Sequence, residues 1–236
     1  MAIGWDLPQE DEWALCNMGL PSPYLKIMFP NLPMHDKAYQ SLRELPPADR
    51  QHWQKKFKWL LQALTVREPK CVVLKTPVHT FRLAALLEIF PGARFIHISR
   101  NPLSVFPSTL HTWQRMHRYH GLQVPKHEHL QQEVLQTFVD MYDVFEQDKQ
   151  LLPAEQFHQV HYEQLAQNPI QELQNIYQHF QQPITEQVRS SWEAYAARAS
   201  NYQTNRYQLS EDVRAEITRR WAGYFETYGY DPQATA

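Results

Sequence analysis

Cysteine is the first scarcity in this chain of 236 residues: the two present, Cys16 and Cys71, stand far apart. A disulfide framework is therefore not expected, and a reducing, cytoplasmic setting fits best. No apolar run approaches the about 20 residues that a membrane-spanning helix needs. The opening MAIGWDLPQEDEW is acidic and has no signal-peptide core. Charge of one sign is also missing: a net charge of −2 argues against a general nucleic-acid binder. Glycine is sparse, and the six present (Gly4, Gly19, Gly92, Gly121, Gly223, Gly229) are scattered. No G-x-x-x-x-G-K run exists, so a Walker-type kinase or NTPase gains no support. Internal repeats and low-complexity linkers are absent too, and one domain over residues 1–236 is expected.

What is present concentrates between residues 71 and 108, CVVLKTPVHTFRLAALLEIFPGARFIHISRNPLSVFPS. The apolar, β-branched run 71–74 predicts a buried parallel strand ended by Lys75-Thr76-Pro77. Phe81, Leu83, Ala84, Leu86, Leu87 and Phe90 recur at helical spacing up to Pro91-Gly92. Residues 94–99 predict a second strand with Phe95, Ile96 and Ile98 as its apolar content. Asn101-Pro102 after it make an N-cap and first helical position. Strands alternating with helices define an α/β fold with a parallel sheet. Ligands of such sheets bind beyond the carboxyl ends of the strands, so Lys75, His79 and Arg100 are the candidate site residues.

Elsewhere the periodicity predicts a short acidic-led helix over 8–18, an irregular connection over 21–33, and an amphipathic helix over 47–67. Further helices are expected over 102–119 (kinked at Pro107), 130–145, 170–180, 186–199 and 210–228, with a strand over 157–161. His111, His117, His120, His127 and His129 lack an accompanying cysteine or acid frame and read as a solvated face rather than a metal site. Trp53, Trp59, Trp113, Trp192 and Trp221 read as core, and Arg115 and Arg118 as a solvated helix face.

Two readings stand for each candidate. Arg100 offers a planar fork of donors suited to phosphate, with Ser108 to add a hydroxyl; equally, it is a surface ion-pair partner. Histidine as a residue type suits general-base work, which makes His79 a candidate, and Lys75 has the charge to hold a developing anion; equally, His79 caps the following helix.

The run R-N-P-L-S-V-F-P-S after F-I-H-I-S resembles the 3′-phosphate-binding segment of sulfotransferases that use 3′-phosphoadenosine 5′-phosphosulfate (PAPS). L-K-T-P-V-H-T-F-R-L and F-P-G-A-R-F-I are similar to the large, mostly bacterial branch of that family. V-H-Y-E-Q-L-A-Q-N-P resembles its strand-end Tyr-Glu segment, and N-R-Y-Q-L-S its closing segment. The resemblance implies a P-loop-like sulfotransferase fold with PAPS as donor and no metal. It makes Arg100 and Ser108 the 3′-phosphate contacts, sets Tyr162 near the adenine, and offers Arg206 as a further phosphate contact. It also implies a hydroxyl or amine acceptor on a small molecule, glycan or peptide. Family members carry Lys-Thr-His where this chain has Lys75-Thr76-Pro77-Val78-His79, so the histidine is displaced by two residues. The glycine-rich loop that binds the 5′-phosphosulfate in the family has no counterpart here. The expectation is an N-terminally incomplete member, either active when complete or an inactive remnant with an interaction role, with oligomerisation open to it.

Overall fold

Trp53 and Phe57, one helical turn apart, are both fully buried, and their rings stack with centroids 4.9 Å apart. That pair fixes helix α4, Pro47–Arg67, within a series that begins with α1 (Asp11–Asn17), α2 (Leu25–Met28) and α3 (Ala38–Ser41). The computed structural model describes residues 9–32, 37–199 and 207–234. Pro47 opens α4 at its first position, where a missing N–H costs nothing. After it come a 3₁₀ turn at Pro77–Phe81, α5 (Leu83–Ile89), β1 (Phe95–Ser99), α6 (Pro102–His120) and α7 (Leu130–Lys149). The remainder is β2 (Phe157–His161), α8 (Tyr162–Gln167), α9 (Pro169–His179), α10 (Glu186–Ala199), α11 (Glu211–Arg220) and α12 (Ala222–Tyr228). The α/β class holds: a parallel sheet flanked by many helices.

The chain folds into two compact units. One takes the chain up to Pro91 with Trp113–Leu130 and Asp140–Lys149; the other takes Gly92–Thr112, Gln131–Val139 and the chain from Gln150 onward. In the first unit Leu15, Leu42, Trp53 and Phe57 form the deepest apolar contacts, and Tyr24, Ile27 and Val78 make a second cluster. Asp148 of α7 reaches the start of α5, accepting from the Ala84 N–H at 3.1 Å and pairing with Arg43. It thereby satisfies a donor that the helix itself leaves open.

In the second unit β1 and β2 pair in parallel with Phe95 opposite Phe157 and Ser99 opposite His161. Trp221 is the core's centre, stacked on Phe138 at 3.8 Å and donating its indole N–H to the Leu135 carbonyl at 3.0 Å. The sheet is unusual in its faces. His97 and Ser99 point inward, while Ile96 and Ile98 are exposed.

Three expectations need correction. Residues 71–74 are not a buried strand: they pair with no strand among the described residues, and Val73 is 86% exposed. A β-branched run becomes a strand only when a neighbour offers a ladder, and local sequence cannot supply one. The helix expected over 81–90 is present as α5 but starts two residues later, because Phe81 closes the preceding 3₁₀ turn and Arg82 leaves helical geometry. The helix expected over 210–228 breaks at Trp221, where the backbone turns to φ −105° so that the indole meets Phe138. Its beginning is as read: Ser210 accepts from the Val213 N–H. Of the tryptophans, Trp53 and Trp221 are core, and Trp59 is exposed.

Candidate functional site

In the second unit, both strands end at the same edge, and Arg100 and Tyr162 follow them directly. The Arg100 guanidinium lies over the Tyr162 ring, 4.2 Å from its centroid. No carboxylate pairs with it among the described residues. The Arg100 backbone is gripped on both sides by Tyr224, whose hydroxyl accepts from the N–H at 3.0 Å and donates to the carbonyl at 3.2 Å. Glu163 extends the frame, accepting from the Asn101 N–H at 2.9 Å and from the Tyr230 hydroxyl at 3.1 Å. Beneath them Ser99, Gln159, His161 and Tyr230 form a polar network with contacts of 3.1–3.3 Å. Burial raises the Tyr230 phenol above its usual range, and the Glu163 carboxylate adds to this, so the hydroxyl stays protonated.

Asn101 caps α6: its side-chain oxygen accepts from the Leu103 N–H at 2.9 Å. Asn101's own N–H is held by Glu163, and Pro102 has none. The start of α6 therefore offers few free N–H groups, leaving side chains to meet an anion. Ser108 is half-buried two turns into α6, with its carbonyl bonded to the Thr112 hydroxyl. Arg206 lies outside the described residues.

The first unit holds Lys75 and His79, in a setting the sequence did not announce. Three consecutive acids at the start of α1 are each matched by the segment 75–82. Glu10 pairs with Lys75 and accepts from the Tyr24 hydroxyl. Asp11 accepts from the Thr76 hydroxyl at 2.5 Å and lies 3.0 Å from His79 Nε2. Glu12 takes a bidentate pair from Arg82 at 2.6 and 3.1 Å and a further bond from Ser22 at 2.5 Å. Arg82 completes its donor set on the carbonyls of Tyr39 and Gln40 and lies over the Trp53 ring. Both His79 nitrogens are buried, and the Asp11 contact is off the line of a hydrogen bond. Burial would raise the Asp11 carboxyl, but the His79 ring and the Thr76 hydroxyl outweigh it and hold the carboxyl below its usual range. Lys75 remains largely exposed beyond its contact with Glu10.

Sequence reasoning took the acids as complements of a helix dipole and passed over Arg82, Glu163, Tyr224 and Tyr230. The available signal was E-D-E facing Lys75, His79 and Arg82, a matched run of opposite sign. The solvated-face reading of the histidines fails at His117, which is buried and bonded to His127 Nε2 at 3.1 Å. Among the described residues no three His, Cys, Asp or Glu gather as a metal-binding group.

These features agree with what the chain resembles. A model of the sulfotransferase family matches residues 9–186, and the chain belongs to that family. It is 39% identical over 224 residues to the omega-hydroxy-beta-dihydromenaquinone-9 sulfotransferase Stf3 of Mycobacterium bovis, and equally to that of Mycobacterium tuberculosis. The alignment covers 95% of this chain and 58% of those relatives. Among solved structures it is similar to sulfotransferase STF9 from Mycobacterium avium, with a TM-score of 0.67 at 20% identity, covering 95% of this chain and 57% of that one. Sulfotransferase STF1 from Mycobacterium tuberculosis gives 0.58 at 21%, covering 80% and 52%. The chain thus spans a little over half the length of these relatives.

Proposed function

We propose that the chain supplies the 3′-phosphate-binding part of a PAPS-dependent sulfotransferase acting on a small-molecule hydroxyl. The observation that carries this reading is the Arg100 guanidinium, held over the Tyr162 ring at the end of β1 with no carboxylate paired to it among the described residues. A cation left without a carboxylate, next to a flat aromatic face and a hydroxyl-bearing helix, has the chemistry to take a phosphate beside a purine. Arg100 and Ser108 would hold the 3′-phosphate, Tyr162 the adenine, and Arg206 a further phosphate oxygen. Bound there, the donor supplies an activated sulfuryl group.

Lys75, largely exposed, is the candidate to hold negative charge at the reacting end, and to do so its ammonium must exchange Glu10 for the donor's oxygens. His79 is the candidate to take the acceptor's proton, and to do so its ring must turn away from Asp11. The acceptor class follows the Mycobacterium relatives, which are named for a hydroxylated menaquinone. The second reading is the remnant reading, a sulfotransferase-fold chain that binds without transferring.

Calorimetry with adenosine 3′,5′-bisphosphate tests the phosphate site. Binding should weaken roughly ten- to a hundredfold in Arg100→Ala; equal binding by the two proteins would remove the assignment. Sulfate transfer from labelled PAPS to a hydroxylated quinone would eliminate the remnant reading.

A further inference from the structure

The stretch between α6 and α7 has an ordered backbone but unusual side chains. Four hydrogen bonds stitch it to residues 28–31: Leu122 N–H to the Met28 carbonyl (2.7 Å), Asn31 N–H to Gln123 Oε1 (3.1 Å), Asn31 Nδ2 to the Val124 carbonyl (2.9 Å) and Lys126 N–H to Asn31 Oδ1 (3.0 Å). The His117–His127 contact anchors its far end. Along it the side chains alternate. Gln123, Pro125 and His127 are partly covered, while Leu122, Val124 and Lys126 face solvent. Leu122 is 71% exposed and Val124 87%, and beside them in the same stitched pair of segments stand Tyr119 at 64% and Leu32 at 43%. A single exposed apolar residue is ordinary, but Leu122 and Val124 stand on a backbone held by hydrogen bonds to residues 28–31, with Leu32 next to Asn31 and Tyr119 three residues before Leu122, an exposure that folding alone does not require.

The charges along these two segments are mostly of one sign. Arg115, Arg118 and Lys126 are exposed, Arg115 lies over the Tyr119 ring at 5.6 Å, and Lys26 donates to the Leu32 carbonyl at 2.9 Å. Glu128 is the single carboxylate in residues 19–32 and 111–130, within a chain of net charge −2. Aliphatic side chains and a tyrosine ringed by arginine and lysine suit the boundary between acyl chains and anionic headgroups.

We infer that the Leu32–Tyr119–Leu122–Val124 tip, with its ring of Arg115, Arg118, Lys126 and Lys26, is a docking surface for an anionic lipid bilayer. The tip inserts shallowly and spans nothing; no helix among the described residues is long and apolar enough to cross a membrane. The inference goes beyond the nucleotide reading and does not depend on it, although a bilayer is where an apolar hydroxylated acceptor would be met.

Flotation of the full chain tests it, with vesicles of phosphatidylcholine alone and of equal parts phosphatidylcholine and phosphatidylglycerol. The chain should float with the anionic vesicles and be released by salt. Leu122→Ser with Val124→Ser should weaken partition by at least about tenfold. Arg118→Glu with Lys126→Glu should abolish the preference for anionic lipid, and Leu122→Trp should bind at least as well as the parent, since a bilayer imposes no shape. Absence of flotation, or flotation unchanged by the double serine variant, would overturn the inference. So would a dimer in sedimentation that the serine variant converts to monomer, because a second copy would then be the occupant. Adenosine 3′,5′-bisphosphate binding, followed on the same samples, separates failure here from failure of the phosphate site.

Discussion

Glu12 and Arg82 are both withdrawn from solvent, and each is satisfied by the other. Such a pair adds little over an apolar replacement of both partners, but removing one charge leaves the other stranded. Glu12→Gln should therefore cost about 3–5 kcal/mol in urea unfolding, whereas the exposed pair Lys70–Glu68 should tolerate the same change without a measurable loss. Asp11 gives this cluster a pH signature. Its carboxyl is held below the usual range, so its contribution is complete above the unfolded value and is lost as pH falls through the folded one. Acid titration of stability should show that loss below about pH 4, and Asp11→Asn should flatten it. A slope unchanged by the substitution would mean that other carboxylates set the acid limit.

At the scale of elements, legibility followed how local the cause was. Pro47–Arg67, Phe157–His161 and Glu186–Ala199 were readable to the residue because periodicity and flanking prolines act within a few positions. Residues 71–74 were not, since being a strand requires a partner elsewhere, and neither was the break at Trp221, whose indole packs on Phe138 of another helix. The candidate site divides similarly. Arg100 and Tyr162 were found through a motif, while the grip of Tyr224 and Tyr230 spans 124 and 131 positions and leaves no local trace. Gly121 offers a test at this scale. A Cβ there would fall 2.3 Å from the His117 carbonyl oxygen, so the end of α6 must shift for any other residue. Gly121→Ala should lower thermal stability and speed hydrogen exchange at Leu122 and Lys126, whose N–H groups hold the stitched segment in place. Unaltered exchange at those two amides would show that the turn adapts without cost.

For the molecule as a whole, a ligand that binds only the folded chain stabilises it by mass action. At about a hundred times its dissociation constant, adenosine 3′,5′-bisphosphate should add about 2.7 kcal/mol, and Arg100→Ala should remove most of that gain without altering the unliganded midpoint. A thermal shift of equal size in both proteins would place the nucleotide elsewhere. The matched run joining α1 to residues 75–82 has a consequence in time as well. Asp11 meets Thr76 across 65 positions and Glu12 meets Arg82 across 70. At synthesis rates of about 5–20 residues per second, the acids emerge on the order of 3–14 seconds before their partners exist. Throughout that interval the carboxylates remain in water, and α1 can settle only when Arg82 has left the ribosome.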